Sequence, residues 1–153
     1  MPENIPTFSI IVPTYNRALS LENLLNSLLN INYPRNYYEI IVVNDGSTDN
    51  TQDVLNRFNK KIKFFNIENS ERGYARNFGA MKSKFTYINF FDSDDICLSN
   101  HLICAAASII SNNFPECIAQ GYKICLEDGT TTYETKWADI KELNKSLYMN
   151  TLS

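Results

Sequence analysis

The sequence predicts an α/β fold built on a doubly wound, mostly parallel sheet. Short apolar runs, too continuous for half-exposed strands, begin near residues 8, 39, 62 and 85. Between them the apolar spacing changes to the three-and-four period of amphipathic helices. Each run with its helix takes 23 to 31 residues, the length of a right-handed βαβ crossover.

Phe8 to Val12 (FSIIV) reads as the first buried strand, ended by Pro13. Ser20 then caps a helix whose stripe is Leu21, Leu24, Leu25, Leu28 and Leu29. Glu39 to Asn44 repeats the buried-strand pattern, and Asp45-Gly46-Ser47-Thr48-Asp49 turns into a helix through Val54, Leu55 and Phe58. Ile62 to Ile67 makes the third strand, and a helix through Tyr74, Phe78 and Met81 leads to the fourth, Phe85 to Phe91. Ser99 to Asn112 reads as a further helix with Leu102, Ile103, Ala106, Ile109 and Ile110 inward. Cys117 to Leu126 and Thr130 to Thr135 read as a hairpin turned at Glu127-Asp128-Gly129.

At 153 residues, 44% apolar and 20% charged, the chain suits one domain whose core needs no disulfide or structural metal. Fourteen basic against seventeen acidic residues leave a net charge of −3, and no basic stripe invites nucleic acid. Cys97, Cys104, Cys117 and Cys125 show no zinc-ligand spacing and read as free, mostly buried thiols. No run approaches membrane-spanning length and residues 1–7 lack a signal-peptide pattern, so the expected location is cytoplasmic, with contact at the inner face of the membrane allowed.

In an open α/β sheet, ligands sit beyond the carboxyl ends of the strands. Those ends read Pro13-Thr14-Tyr15-Asn16-Arg17, Asp45-Gly46-Ser47, Glu68 to Arg72, and Asp92-Ser93-Asp94-Asp95. The first loop has no glycine, which excludes a dinucleotide-binding turn and a P-loop. Three carboxylates within four residues repel one another unless a cation neutralises them, and Mg²⁺ or Mn²⁺ suits such oxygen ligands. The same tetrapeptide also fits a solvated turn before a capped helix. A calcium-binding EF-hand is excluded, because its required glycine would fall on Cys97.

FSIIVPTYNR, IIVVNDGS followed by Thr48-Asp49, GYARNFG and FFDSDD, in that order and each at a strand end, resemble the successive signatures of the family 2 glycosyltransferases of the GT-A fold. The resemblance covers residues 8 to 110 and implies a donor-binding βαβ core over residues 8–95 of a single domain, 1–153, with residues 96–153 opening the acceptor side. It implies that Tyr15 stacks on the base of a UDP-sugar, with Pro13 and Thr14 seating it, and that Asp45 accepts a hydrogen bond from the uracil ring. Arg17, Arg76 and Asn77 join the nucleotide-sugar site, and Arg72, four residues before Arg76, shares its helix face. Asp92 and Ser93 belong to the same site, while Asp92 and Asp94, with Asp95 as a substitute, hold the metal.

The resemblance further implies an inverting transfer to a saccharide or lipid-linked acceptor in cell-surface polysaccharide synthesis. Its general base is expected beyond Ser153, in a half this chain lacks; Glu127, Asp128, Glu134 and Asp139 are the downstream acids, and none stands in a base motif. A non-catalytic nucleotide-sugar-binding fragment is the alternative. The absent half would leave a sheet edge that a homo-oligomer could cover. His101 reads as a helix-surface residue.

Overall fold

The first apolar run forms β1 (Phe8–Thr14), buried along its whole length, in the structure, a computed structural model that describes residues 5–121, 123–125 and 130–134. β2 (Tyr38–Asp45) pairs with β1 from Phe8↔Tyr38 to Thr14↔Asn44. β3 (Lys63–Ile67) flanks β2, and β4 (Tyr87–Phe90) lies on the other side of β1. The four strands are parallel in the order β3-β2-β1-β4.

The strand does not stop at Pro13. The carbonyls of Thr7 and Ile11 accept hydrogen bonds from the Tyr87 and Phe91 N–H groups at 2.9 and 3.0 Å, so the odd-numbered residues of β1 turn their polar groups toward β4. Residue 13 shares that parity, and β4 pairs only as far as Ile11↔Phe90. The proline nitrogen therefore faces a position with no ladder to join. β4 is also shorter than its apolar run, because the Phe85 and Thr86 N–H groups bond to the Ser9 and Thr7 hydroxyls at 3.3 and 3.2 Å rather than to a neighbouring backbone.

Moving from β1 to β2 to β3 and then back past β1 to β4 reverses the winding. Right-handed crossovers then place α1 (Ala18–Leu29) and α2 (Thr51–Phe58) on one face and α3 (Arg72–Met81) on the other. Leu21, Leu24, Leu25 and Leu28 of α1 are fully buried, with Thr51, Val54, Leu55 and Phe58 of α2; Leu29 is only half-buried. On the opposite face, α3 packs Ala75 against Ile11, Ile41 and Val43. Of the residues that marked this helix in the sequence, Phe78 packs against that cluster, whereas Tyr74 and Met81 are 54% and 73% exposed. A Cβ on Gly79 would lie 2.4 Å from the Ile11 Cγ2, so the helix is seated where only glycine fits.

α4 (His101–Ser111) buries Leu102, Ala105, Ala106 and Ile109, whereas Ile103 and Ile110 are exposed, a rotation of the expected stripe onto its alanines. The chain forms two compact units, residues 1–111 and 112–153. In the second, β5 (Lys123–Cys125) and β6 (Thr131–Glu134) pair antiparallel, and the expected turn at 127–129 and strand end at Thr135 lie outside the described residues. No described helix is long and apolar enough to cross a membrane. Of the cysteines, Cys97 is buried and its thiol is pushed up to about 12 by that burial, while Cys104 and Cys117 are exposed rather than buried.

Candidate nucleotide-sugar site

The winding reverses between β1 and β4, and the carboxyl ends of these strands, with those of β2 and β3, enclose a cleft of about 240 Å³. Its lining brings together Pro13, Thr14, Tyr15 and Arg17 from β1 and its loop, Asp45 from β2, and Asp92, Ser93 and Asp94 from the loop after β4. Asn69 and Ser70, after β3, complete the wall.

Thr14 is 3% exposed, and its hydroxyl oxygen has no hydrogen-bond partner among the described residues. A buried hydroxyl without a partner carries a desolvation cost that a ligand can relieve. Tyr15, next in the chain, is 47% exposed and offers its ring to the cleft. The turn between them and α1 is held by Asn16 at φ 50°, a left-handed conformation that asparagine tolerates. The Asn16 side-chain oxygen accepts from the Thr48 N–H at 2.7 Å and the Asp49 N–H at 3.3 Å, and the Asn16 N–H donates to the Ser47 hydroxyl at 2.9 Å. These bonds tie the loop after β1 to the loop after β2.

Asp45 is 6% exposed, and its Oδ1 accepts from the Ser70 N–H at 2.8 Å and the Ser70 hydroxyl at 3.0 Å. It does not cap α2. Asp49, one residue before the cap position at Asn50, satisfies the first N–H of each helix instead, accepting from Thr51 at 3.0 Å with one oxygen and from Ala18 of α1 at 3.1 Å with the other. Ser20 is not the cap of α1, whose helical turns begin at Ala18. Against the partial burial that raises it, the hydrogen bonds from Thr51 and Ala18 hold the Asp49 carboxyl below the usual aspartate range.

The carboxylates after β4 already have cations beside them. Asp94 is paired with Arg17 across the cleft, and Asp92 with Arg76 of α3, four residues past Arg72 at the start of that helix. Two guanidinium groups therefore offset part of the negative charge of the three aspartates, and among the described residues no ion pair joins Asp95. Burial first, then the like charges of Asp92 and Asp94, raise the Asp95 carboxyl, against a hydrogen bond from the Asp92 N–H that lowers it. Asp95 does not line the cleft, nor does Arg76, which reaches it only through Asp92, nor Asn77, which is exposed and turned about 100° round the helix from Arg76.

No three histidine, cysteine or acidic side chains converge into a metal cage among the described residues. Asp92 and Asp94 nevertheless fit Mg²⁺ or Mn²⁺ chemically, as hard oxygen donors on one cleft wall, since Mg²⁺ is commonly held by one or two carboxylates and completes its shell with phosphate and water. His101 is half-buried rather than on the helix surface: its Nε2 lies 2.8 Å from the Asn89 Nδ2, its ring packs edge-on against Phe91 at 5.0 Å, and burial lowers its basicity. Among the downstream acids, Glu134 pairs with Lys123 at 3.0 Å within the β5–β6 hairpin. Glu127, Asp128 and Asp139 lie outside the described residues.

Sequence reasoning placed Asn16, Asn69 and Ser70 in the strand-end loops but gave them no role. Their signal was positional, since they lie two or three residues past the ends of β1 and β3.

Comparison with known proteins agrees with this geometry. The chain is 32% identical to an uncharacterised glycosyltransferase of Haemophilus influenzae, over 97% of its own length and 62% of that protein. It is 36% identical to the poly(ribitol-phosphate) beta-N-acetylglucosaminyltransferase TarS of Staphylococcus aureus, over 67% of this chain and 18% of TarS. The crystal structure of TarS 1-349 in complex with UDP-GlcNAc superposes with a TM-score of 0.65 at 34% identity, covering 70% of this chain and 32% of that one. A mannosyltransferase from Pyrobaculum calidifontis, in complex with GDP-Man and Mn²⁺, superposes at 0.59 with 28% identity, over 70% and 32% of the two chains. The chain thus spans less than two thirds of each relative. A sequence model described as glycosyl transferase family 2 matches residues 9–152, and the chain, with its GT-A sheet, belongs to that family.

Proposed function

We propose that this chain is the donor-binding part of a glycosyltransferase that takes a sugar from UDP and passes it, with inversion, to a saccharide or lipid-linked acceptor in cell-surface polysaccharide synthesis. The observation that carries the reading is the cleft itself, which gathers a half-exposed ring, a buried hydroxyl without a partner among the described residues, a buried carboxylate and two arginine-paired aspartates at one switch point. The complexes of TarS and of the mannosyltransferase support a nucleotide-sugar in this place, and the higher identity to TarS favours uridine.

Tyr15 stacks on the base, with Pro13 and the Thr14 hydroxyl seating its edge. Asp45 accepts the ring N–H. Arg17, in the cleft wall, and Arg76, held beside it by Asp92, can exchange a carboxylate for a phosphate oxygen of the diphosphate. Asp92 and Asp94 would hold Mg²⁺ or Mn²⁺, which when bound supplies positive charge against the departing nucleoside diphosphate.

The test is calorimetric titration of UDP, GDP and inorganic pyrophosphate with Mn²⁺ and with chelator, beside a sugar-transfer assay. UDP should bind more tightly than GDP, and chelation should weaken it about tenfold or more, the loss of roughly 1.4 kcal/mol. Equal binding of all three ligands would overturn the reading. Binding without transfer or donor hydrolysis marks this chain as the binding fragment alone.

A further inference from the structure

We infer that Ser70, a residue with no counterpart in the motifs above, is a positioning residue that sets base selectivity by fixing the Asp45 carboxylate; the inference rests on the uridine reading of the cleft. Asp45 ends β2 opposite Ile67, so the chain leaving β3 starts beside it and within three residues brings Ser70 back to the same carboxylate. Both Ser70 donors, N–H and hydroxyl, fall on one oxygen, Oδ1, at 2.8 and 3.0 Å. Oδ2 accepts no hydrogen bond from the described residues.

The backbone is shaped for this contact. Gly46 sits at φ +72°, and a Cβ there would meet the Asn69 nitrogen at 2.8 Å, so only glycine lets residues 69 and 70 lie against the end of β2. Asn44 reinforces the turn, accepting from the Ser47 N–H at 3.1 Å and donating to the Asn66 side chain at 3.0 Å.

A carboxylate held by two donors on one oxygen loses its rotational freedom and keeps one oxygen for a ligand. That single acceptor suits a ring N–H, as uracil presents at N3, and repels the lone pair that cytosine presents at the same position. With the hydroxyl removed, the Ser70 N–H still holds Oδ1 but the carboxylate can swing, so discrimination should fall further than affinity for the diphosphate.

The experiment measures the affinity of the chain for UDP, CDP and inorganic pyrophosphate in Mn²⁺ for wild type, Ser70→Ala, Ser70→Thr and Asp45→Asn. Ser70→Ala should lower the UDP-to-CDP preference about fivefold and leave pyrophosphate within about twofold of wild type, as expected for one hydrogen bond. Ser70→Thr, which keeps the hydroxyl, should retain the wild-type preference. Unchanged pyrophosphate binding reports that each variant is folded. If Asp45→Asn abolishes the preference while Ser70→Ala leaves it intact, or if Ser70→Ala weakens all three ligands alike, the positioning role is refuted and the uridine reading stands. If Asp45→Asn itself leaves the preference unchanged, the uridine reading fails and the role of Ser70 with it.

Discussion

Glu39 binds the sheet together at the end opposite the cleft, and removing it should destabilise the fold without touching the site. The residue is 5% exposed; its Oε1 accepts from the Ser9 hydroxyl of β1 at 2.7 Å and from the Lys84 N–H before β4 at 2.9 Å, and its Oε2 from the Lys63 ammonium of β3 at 2.8 Å. One carboxylate of β2 thereby joins the beginnings of all four strands. In Glu39→Ala, two buried donors lose their acceptor at about 1 to 1.5 kcal/mol each, and the half-exposed lysine adds about 0 to 1 kcal/mol. The total of about 2 to 4 kcal/mol should lower Tm by about 5 to 15 °C in a chain of this size.

Burial alone would raise the Glu39 carboxyl, but its bonds to Lys63, Ser9 and Lys84 outweigh it and hold the group below the usual glutamate range. Because the folded value is depressed, the stabilisation is complete above the ordinary glutamate value of about 4.3 and drains away as the pH falls through the folded one. Thermal melts of wild type and Glu39→Gln between pH 7 and 2.5 decide the matter. The two should differ at pH 7, and the gap should close only as the pH falls below the ordinary glutamate range. A constant gap, or none, would refute the account of the carboxylate as a charged tie.

Two further outcomes follow from the packing. Gly79→Ala forces a methyl group to within 2.4 Å of Ile11, so urea denaturation should show a loss of about 1 to 3 kcal/mol despite alanine's better helix propensity, and UDP should bind more weakly because α3 carries Arg76 away from Asp92. Asp49→Ala removes acceptors from the first turns of both α1 and α2, and should cost about 1 to 3 kcal/mol in the same measurement, more than a single helix cap.

The strands and their order of use were legible because buried parallel strands leave continuous apolar runs. α3 was harder to read, since its contact is made by Ala75 and Gly79, whose value lies in what they lack, while Tyr74 and Met81 look like core and are not. α4 was misread for the same reason, with Ala105 outranked on paper by Ile103. The strand-end motifs located the cleft, but the partners of its acids lie far off in sequence: Arg17 is 77 residues from Asp94, and Ser70 is 25 from Asp45. Local spacing carries no record of such pairings, so the arginine partners of these carboxylates could not be read beside the metal-ligand pattern that the carboxylates themselves present.

Pro13 has a consequence for how the cleft stays open. Two parallel strands that run side by side tend to continue pairing until something stops them, and β1 extends past the last residue that β4 reaches. Were residue 13 able to donate, the segment after Phe91 could zip onto β1 and seal the crevice with backbone, carrying Asp92 to Asp94 into a ladder instead of a loop. A proline at that position works as a separator: it withholds the next hydrogen that β1 would donate to that ladder while leaving the bond pattern to β2 intact. The opening is thus written into the covalent chemistry of a single ring, and replacing Pro13 with valine would be a way to close a site without altering any residue that touches a ligand through its charge.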